Sequence, residues 1–265
     1  MKWSYILFLP ALVSLLWSLA IVVLRRHVTR AHLLLSLMLL LEAFAIAVLA
    51  IYFRGRAGSL FIYDFVFEAI AMFCGPLYYV GICSLTEPRG TTLRQRQSFF
   101  VPILFVAGLT VGSFWLGPRR YEAMCYALRE GGTTWIAGDN AWNFMLFWDH
   151  WLFPILLLAA STWFIIAASA KMRLFRRRFN SFYADGDKLR KVDSRELKIL
   201  TWCFLPLGLL VVLLIDLRPL YYKYWLIGCS ILLTVIQFLV GRFTFRLDYD
   251  ARFLAEYIRN KNLPQ

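Results

Sequence analysis

The chain has 265 residues, of which 60% are hydrophobic and only 17% charged, with a mean hydropathy of +0.62. A water-soluble domain of this size cannot hide so large an apolar fraction in one core, so the composition excludes a soluble globular protein and points to a polytopic membrane protein. The net charge of +13 would suggest nucleic acid in a soluble chain, but most Lys and Arg here flank apolar runs, where a bilayer already accounts for them, and no direct nucleic-acid contact is expected.

Residues 4–24 carry no charge; as a helix they measure roughly 31 Å, enough for a hydrocarbon core of about 30 Å. Lys2 and the small residues near position 20 also fit a signal peptide. The apolar run continues to Arg25 and Arg26, however, with more charge after it than before it, which favours an uncleaved anchor with its N-terminus outside. Spans two and three, about 32–53 and 59–85, are joined by the tight link RGRAG and form a helical hairpin. Span four, 99–116, follows a loop holding Arg89, Arg94 and Arg96; Pro102 is tolerable near its start because early helix positions lack intrahelical N–H partners. An outer loop over 118–144 leads to span five, about 146–170. The strongly basic segment 171–198 reads as a cytoplasmic loop, and spans six, 199–215, and seven, about 222–243, complete the set.

With the N-terminus outside, 21 of the 29 Lys and Arg fall on inner segments and 8 on outer ones, ten of the 21 in the 171–198 loop alone. Short loops so charged are hard to translocate, which fixes the expected orientation. Trp3, Trp115, Trp135, Trp142, Trp148, Trp151 and Trp225 lie at or beyond the outer ends, where amphipathic rings favour the interface. The expected fold is therefore all-α: residues 1–243 as a bundle of seven transmembrane helices and 244–265 as a cytoplasmic tail. In that tail Tyr249, Phe253, Leu254, Tyr257 and Ile258 share one helical face, with Asp248 or Asp250 as N-cap. Such an amphipathic helix can lie on the inner leaflet, pair with a second copy in a homodimer, or start a linker to an output module.

Enzyme signatures are absent from the sequence. There is no GxSxG elbow, HExxH or Gly-rich phosphate loop, and His27, His32 and His150 are too scattered for a metal cluster. The cysteines at 74, 83, 125, 203 and 229 form no CxxC pair, so neither metal nor cofactor is expected. Asp185-Gly186-Asp187 has the look of a turn. Asp149 and His150 point about 100° apart on a helix, which makes no dyad, and an interfacial position accounts for them.

Acids at depth carry more information, because a charge there costs several kcal/mol and is seldom kept without a partner or a role. Glu42 and Glu68 are such acids. Counted from the RGRAG link at 1.5 Å per residue, Glu42 lies about 18 Å and Glu68 about 15 Å down, near the midplane of two neighbouring helices. On span three Asp64, Glu68, Ala71, Gly75 and Tyr79 form one small and polar face that should point into the bundle. Glu42, Asp64, Glu68 and Tyr79 are therefore the candidate ligand or proton site. Glu42 and Glu68 either share a hydrogen bond or a ligand, or bond separately to helix carbonyls or to Tyr79.

The run CGPLYYVGICSLTEP, followed by a basic loop and FFVPILF, resembles the GPLLYxY…HFxP pattern of the seven-helix membrane regions of many Bacteroidetes AraC-type regulators. The likeness continues in FNSFYADGDKLRKVDSRELKIL, and Phe99-Phe100 stands where a His-Phe pair is usual. The resemblance implies a sensing or anchoring membrane region that signals to a cytoplasmic helix-turn-helix module or partner protein. The residues after Phe243 are too few for a two-motif helix-turn-helix domain, so no DNA-reading residue is carried over. The expectation is a non-catalytic sensing or anchoring module of a transcriptional regulator; the alternative is a small-solute transporter or intramembrane enzyme built around Glu42 and Glu68.

Overall fold

A computed structural model describes residues 2–25, 28–54, 60–86, 92, 95, 97–129, 135–183 and 222–246. All regular structure among them is helical. A 3-10 segment, Lys2–Leu7, leads into α1, Phe8–Val23; α2 is Arg30–Arg54 and α3 is Leu60–Thr86. A short turn, Gln97–Phe99, opens α4, Phe100–Leu116, and α5 is Pro118–Arg129. Helix α6, Asn140–Phe147, passes through a π-helical turn, Trp148–Leu152, into α7, Phe153–Tyr183; α8 is Tyr222–Arg246.

Six helical segments among the described residues are long and apolar enough to cross a membrane: Tyr5–Val23, Arg30–Tyr52, Leu60–Thr86, Gln97–Leu116, Asn140–Leu174 and Leu226–Phe245. They coincide with six of the seven expected spans. The remaining one, span six at 199–215, lies outside the described residues, as do 184–198 of the basic segment and 247–265 of the tail.

Two connecting segments differ from the sequence expectation. The segment read as a loop over 118–144 holds α5, which lays Tyr121, Met124, Cys125 and Leu128 against the bundle and leaves Arg119 and Arg120 exposed. Its polar composition hides a 3,1,3 spacing that is helical. Span five also begins earlier, at Asn140, where Asp139 caps α6 by accepting from the Trp142 N–H at 3.1 Å and pairs with Arg120 of α5. At the other end α7 runs on through Lys171 to Tyr183, so the first part of the expected basic loop is helix. Lys and Arg are good helix formers and suit the negative end of the helix dipole.

The helices pack as a chain of neighbours: α8 on α1, α1 on α2, α2 on α3, α3 on α7, with α4 against α6. On α1 the buried positions Ala11, Ser14, Ser18 and Ile21 recur at helical spacing, while Leu12, Leu16, Leu19 and Val23 on the other side are exposed to what must be lipid. The Ser18 hydroxyl donates to the Ser36 carbonyl and the Ser36 hydroxyl to the Ser18 carbonyl, each at 3.0 Å. Across the next interface, Gly241 of α8 leaves room for Trp17, whose Cβ and Cγ would collide with any side chain there. Arg25, just past α1, donates to the carbonyls of Thr244 and Phe245 on α8.

Candidate functional site

Near the end of the bundle that α5 covers, Asp64 and Glu68 project from the first turns of α3 one helical turn apart. Asp149 reaches the same point from the π turn. All three are buried, and one carboxylate oxygen of each lies within 4.8 Å of the others. The Tyr121 hydroxyl donates to Asp64 Oδ2 at 3.4 Å and the Cys125 thiol approaches the same atom at 3.7 Å. Cys125 is itself placed by Tyr52, whose hydroxyl donates to the Cys125 carbonyl at 3.3 Å.

The π turn is what turns Asp149 inward. Adding a residue to one turn of helix re-phases everything after it, so the position expected at the interface becomes an interior one. Packing holds the turn in place: the Trp148 ring stacks on Phe105 at 5.2 Å and on Phe144 at 5.5 Å, and lies directly over Gly108 of α4, where a Cβ would collide with it. Phe153 closes the side toward α3 through Phe67, at 6.1 Å.

Three carboxylates this close in a low-dielectric interior do not coexist as anions unless shared protons or a bound cation offset their charge. One ion fits the spacing. Oxygens on opposite sides of a cation that binds at about 2.3–2.6 Å are up to about 5 Å apart, and an all-oxygen set suits a hard divalent ion. Asp64, Glu68 and Asp149 are the residues that would hold it. Outside the membrane-spanning segments, Tyr121 feels the same cluster. Burial pushes its phenol well above the ordinary tyrosine range, and the fields of Asp149, Asp64 and Glu68 push the same way, so it stays a hydrogen-bond donor toward Asp64.

Of the four residues proposed from sequence, the structure brings Asp64 and Glu68 together and places the other two elsewhere. Glu42 is not part of the acid cluster; it lies beside Gln237 of α8 and within electrostatic reach of Cys74. Tyr79, half-buried farther along α3, stacks on Phe164 at 5.8 Å. Asp149 is the member that sequence reasoning passed over, although it is the one acid in the apolar segment Asn140–Leu174. No protein-family model, curated protein or solved structure matches the chain.

Proposed function

We propose that the chain is a non-catalytic sensing module of a bacterial cytoplasmic membrane and that it takes up its signal, a cation or protons, at Asp64, Glu68 and Asp149. The convergence of three buried carboxylates from two spans carries this reading. Intramembrane acids are costly and are kept where they have a role, and this set is built on helices and walled by aromatic rings. The charge asymmetry of the loops supports an N-terminus outside and the acid cluster near the outer face, with seven spans in all. The resemblance to AraC-type membrane regions supports a cytoplasmic helix-turn-helix module or partner as the output.

The test is thermal unfolding of the purified protein in nanodiscs with chelator or with millimolar calcium, magnesium or manganese. Saturation to 100 times Kd should add about 2.7 kcal/mol of stability. Asp149→Asn should abolish the increment while Glu42→Gln keeps it. If no divalent ion stabilises the protein and its stability is also indifferent to pH between 5 and 8, the cluster is a neutral structural seam and the sensing reading falls. Ion flux through proteoliposomes would instead move the chain to the carriers. Orientation is checked separately: a reporter active only in the cytoplasm should work when fused after Gly186 and stay silent after Gly131.

A further inference from the structure

Glu42, the buried acid outside the cluster, has a different neighbour and a different chemistry. Glu42 sits 12 residues from each end of α2, about 18 Å from either at 1.5 Å per residue, which is half-way through the bundle. Gln237 lies beside it on α8, which packs against α2, and Cys74 of α3 is within electrostatic reach of Glu42. Glu42 is 5% exposed and Gln237 is fully buried. None of the two carboxylate oxygens and two amide atoms completes a well-formed hydrogen bond among the described residues, to each other or to any third group, so two buried side chains with matching needs lie side by side. A buried amide left unmatched is costly, and a buried charge is costlier.

The atoms of the two groups match in one state. A carboxyl that carries its proton has one O–H donor and one C=O acceptor; a carboxamide has N–H donors and one C=O acceptor. Set face to face, the acid O–H donates to the Gln237 Oε1 and the Gln237 Nε2 donates to the acid C=O, and the ring uses every atom that is otherwise unmatched. An ionised Glu42 has only acceptors; it would leave the Gln237 Oε1 without a donor and a charge half-way through the bundle. We infer that Glu42 and Gln237 form a proton-binding site at the middle of the bundle, in which the proton held by Glu42 joins α2 to α8. A second polar tie on α8 is that of Arg25 to the Thr244 and Phe245 carbonyls. The Glu42–Gln237 contact does not depend on the acid cluster binding anything.

Infrared difference spectroscopy of the whole protein in nanodiscs at pH 7 tests it. The parent should show a protonated-carboxyl band component that is lost in Glu42→Gln, a variant that keeps two interhelical hydrogen bonds as an amide pair. In Gln237→Met the same component should remain and move to higher frequency, because it has lost its donor and acceptor. If Gln237→Met does not accumulate, Gln237→Asn, which draws the amide back by one methylene, should give a smaller shift in the same direction. A protonated-carboxyl band that does not change in Glu42→Gln would mean that Glu42 is ionised, and a Glu42 component unmoved by either substitution at 237 would mean that the two do not pair. Either result overturns the inference.

Discussion

Asp64, Glu68 and Asp149 meet under α5 near one end of the bundle, with a phenol and a thiol turned toward them, whereas Glu42 meets a single carboxamide half-way along α2. The first centre gathers three carboxylates in one low-dielectric place, where shared protons or a cation must offset their charge. The second has as many acceptors as donors once the acid carries its proton, so it is complete within the chain. Burial alone therefore does not mark a binding site, since Glu42 and Glu68 are equally hidden. What separates them is how many carboxylates meet at each point, three against one, and each centre should be breakable without disturbing the other.

The largest effects are expected from two glycines that sit one at each side. Gly108→Ala puts a Cβ into the Trp148 ring, and Gly241→Ala puts one against the root of Trp17. Each should cost about 1–3 kcal/mol by overpacking, read as a loss of thermal stability in nanodiscs. The comparison lies in what else is lost. Gly108→Ala displaces the π turn and should remove the cation response while the Glu42 carboxyl band stays in place. Gly241→Ala displaces α8 and should do the reverse. Loss of both signals in either variant would show that the two centres are one cooperative unit.

A smaller effect separates the donors of the acid cluster from its charge. Tyr121→Phe removes one hydrogen bond to Asp64, 3.4 Å long, and should cost about 0.5–1.5 kcal/mol at neutral pH. Its pH dependence has a definite sign. The folded phenol is held well above its unfolded value, which is about 10. Its contribution is therefore fully present below about pH 10 and is lost as pH rises from there toward the folded value. In that window the unfolded state has released a proton that the native state still holds, so stability should fall by up to about 1.4 kcal/mol per pH unit from this group. Tyr121→Phe should flatten that alkaline slope; an equal slope in both proteins would mean that the phenol is not shielded as its burial implies.

The same contrast explains how much could be read from the sequence. Apolar runs of spanning length and a polar face at 64 and 68 on one helix are local patterns, and six of the expected spans and the pairing of Asp64 with Glu68 follow from them. Asp149 was not legible because its direction depends on a π turn, and nothing in the string WDHWL demands one; it arises where Trp148 packs over Gly108 from a different helix. Helix α5 was legible in the spacing of Tyr121, Met124, Cys125 and Leu128, but four flanking charges read as a loop. The partner of Glu42 stands at the far end of the chain, and only the packing of α8 beside α1 and α2 brings it near. Sequence spacing reports which residues share a face and is silent on which faces meet.

The smallest expected effect comes from a polar contact that belongs to neither centre. Ser18 and Ser36 each donate to the other's backbone carbonyl across the α1–α2 interface, and both are buried. Here hydroxyls meet carbonyls, with no charge and no titratable proton, so the contact is satisfied at every pH and needs no ligand. Interhelical hydrogen bonds of this kind in membranes average about 0.6 kcal/mol, because the separated helices also find partners for their hydroxyls. Ser18→Ala and Ser36→Ala should each be mild. Their double-mutant cycle, measured by unfolding in detergent, should give a coupling of about 0.6 kcal/mol. That coupling should be the same at pH 5 and pH 8 and with or without divalent ions. A coupling that changed with cation would mean that α1 and α2 shift when the acid cluster fills, and the serine pair would then belong to the signalling path and not to the static frame around it.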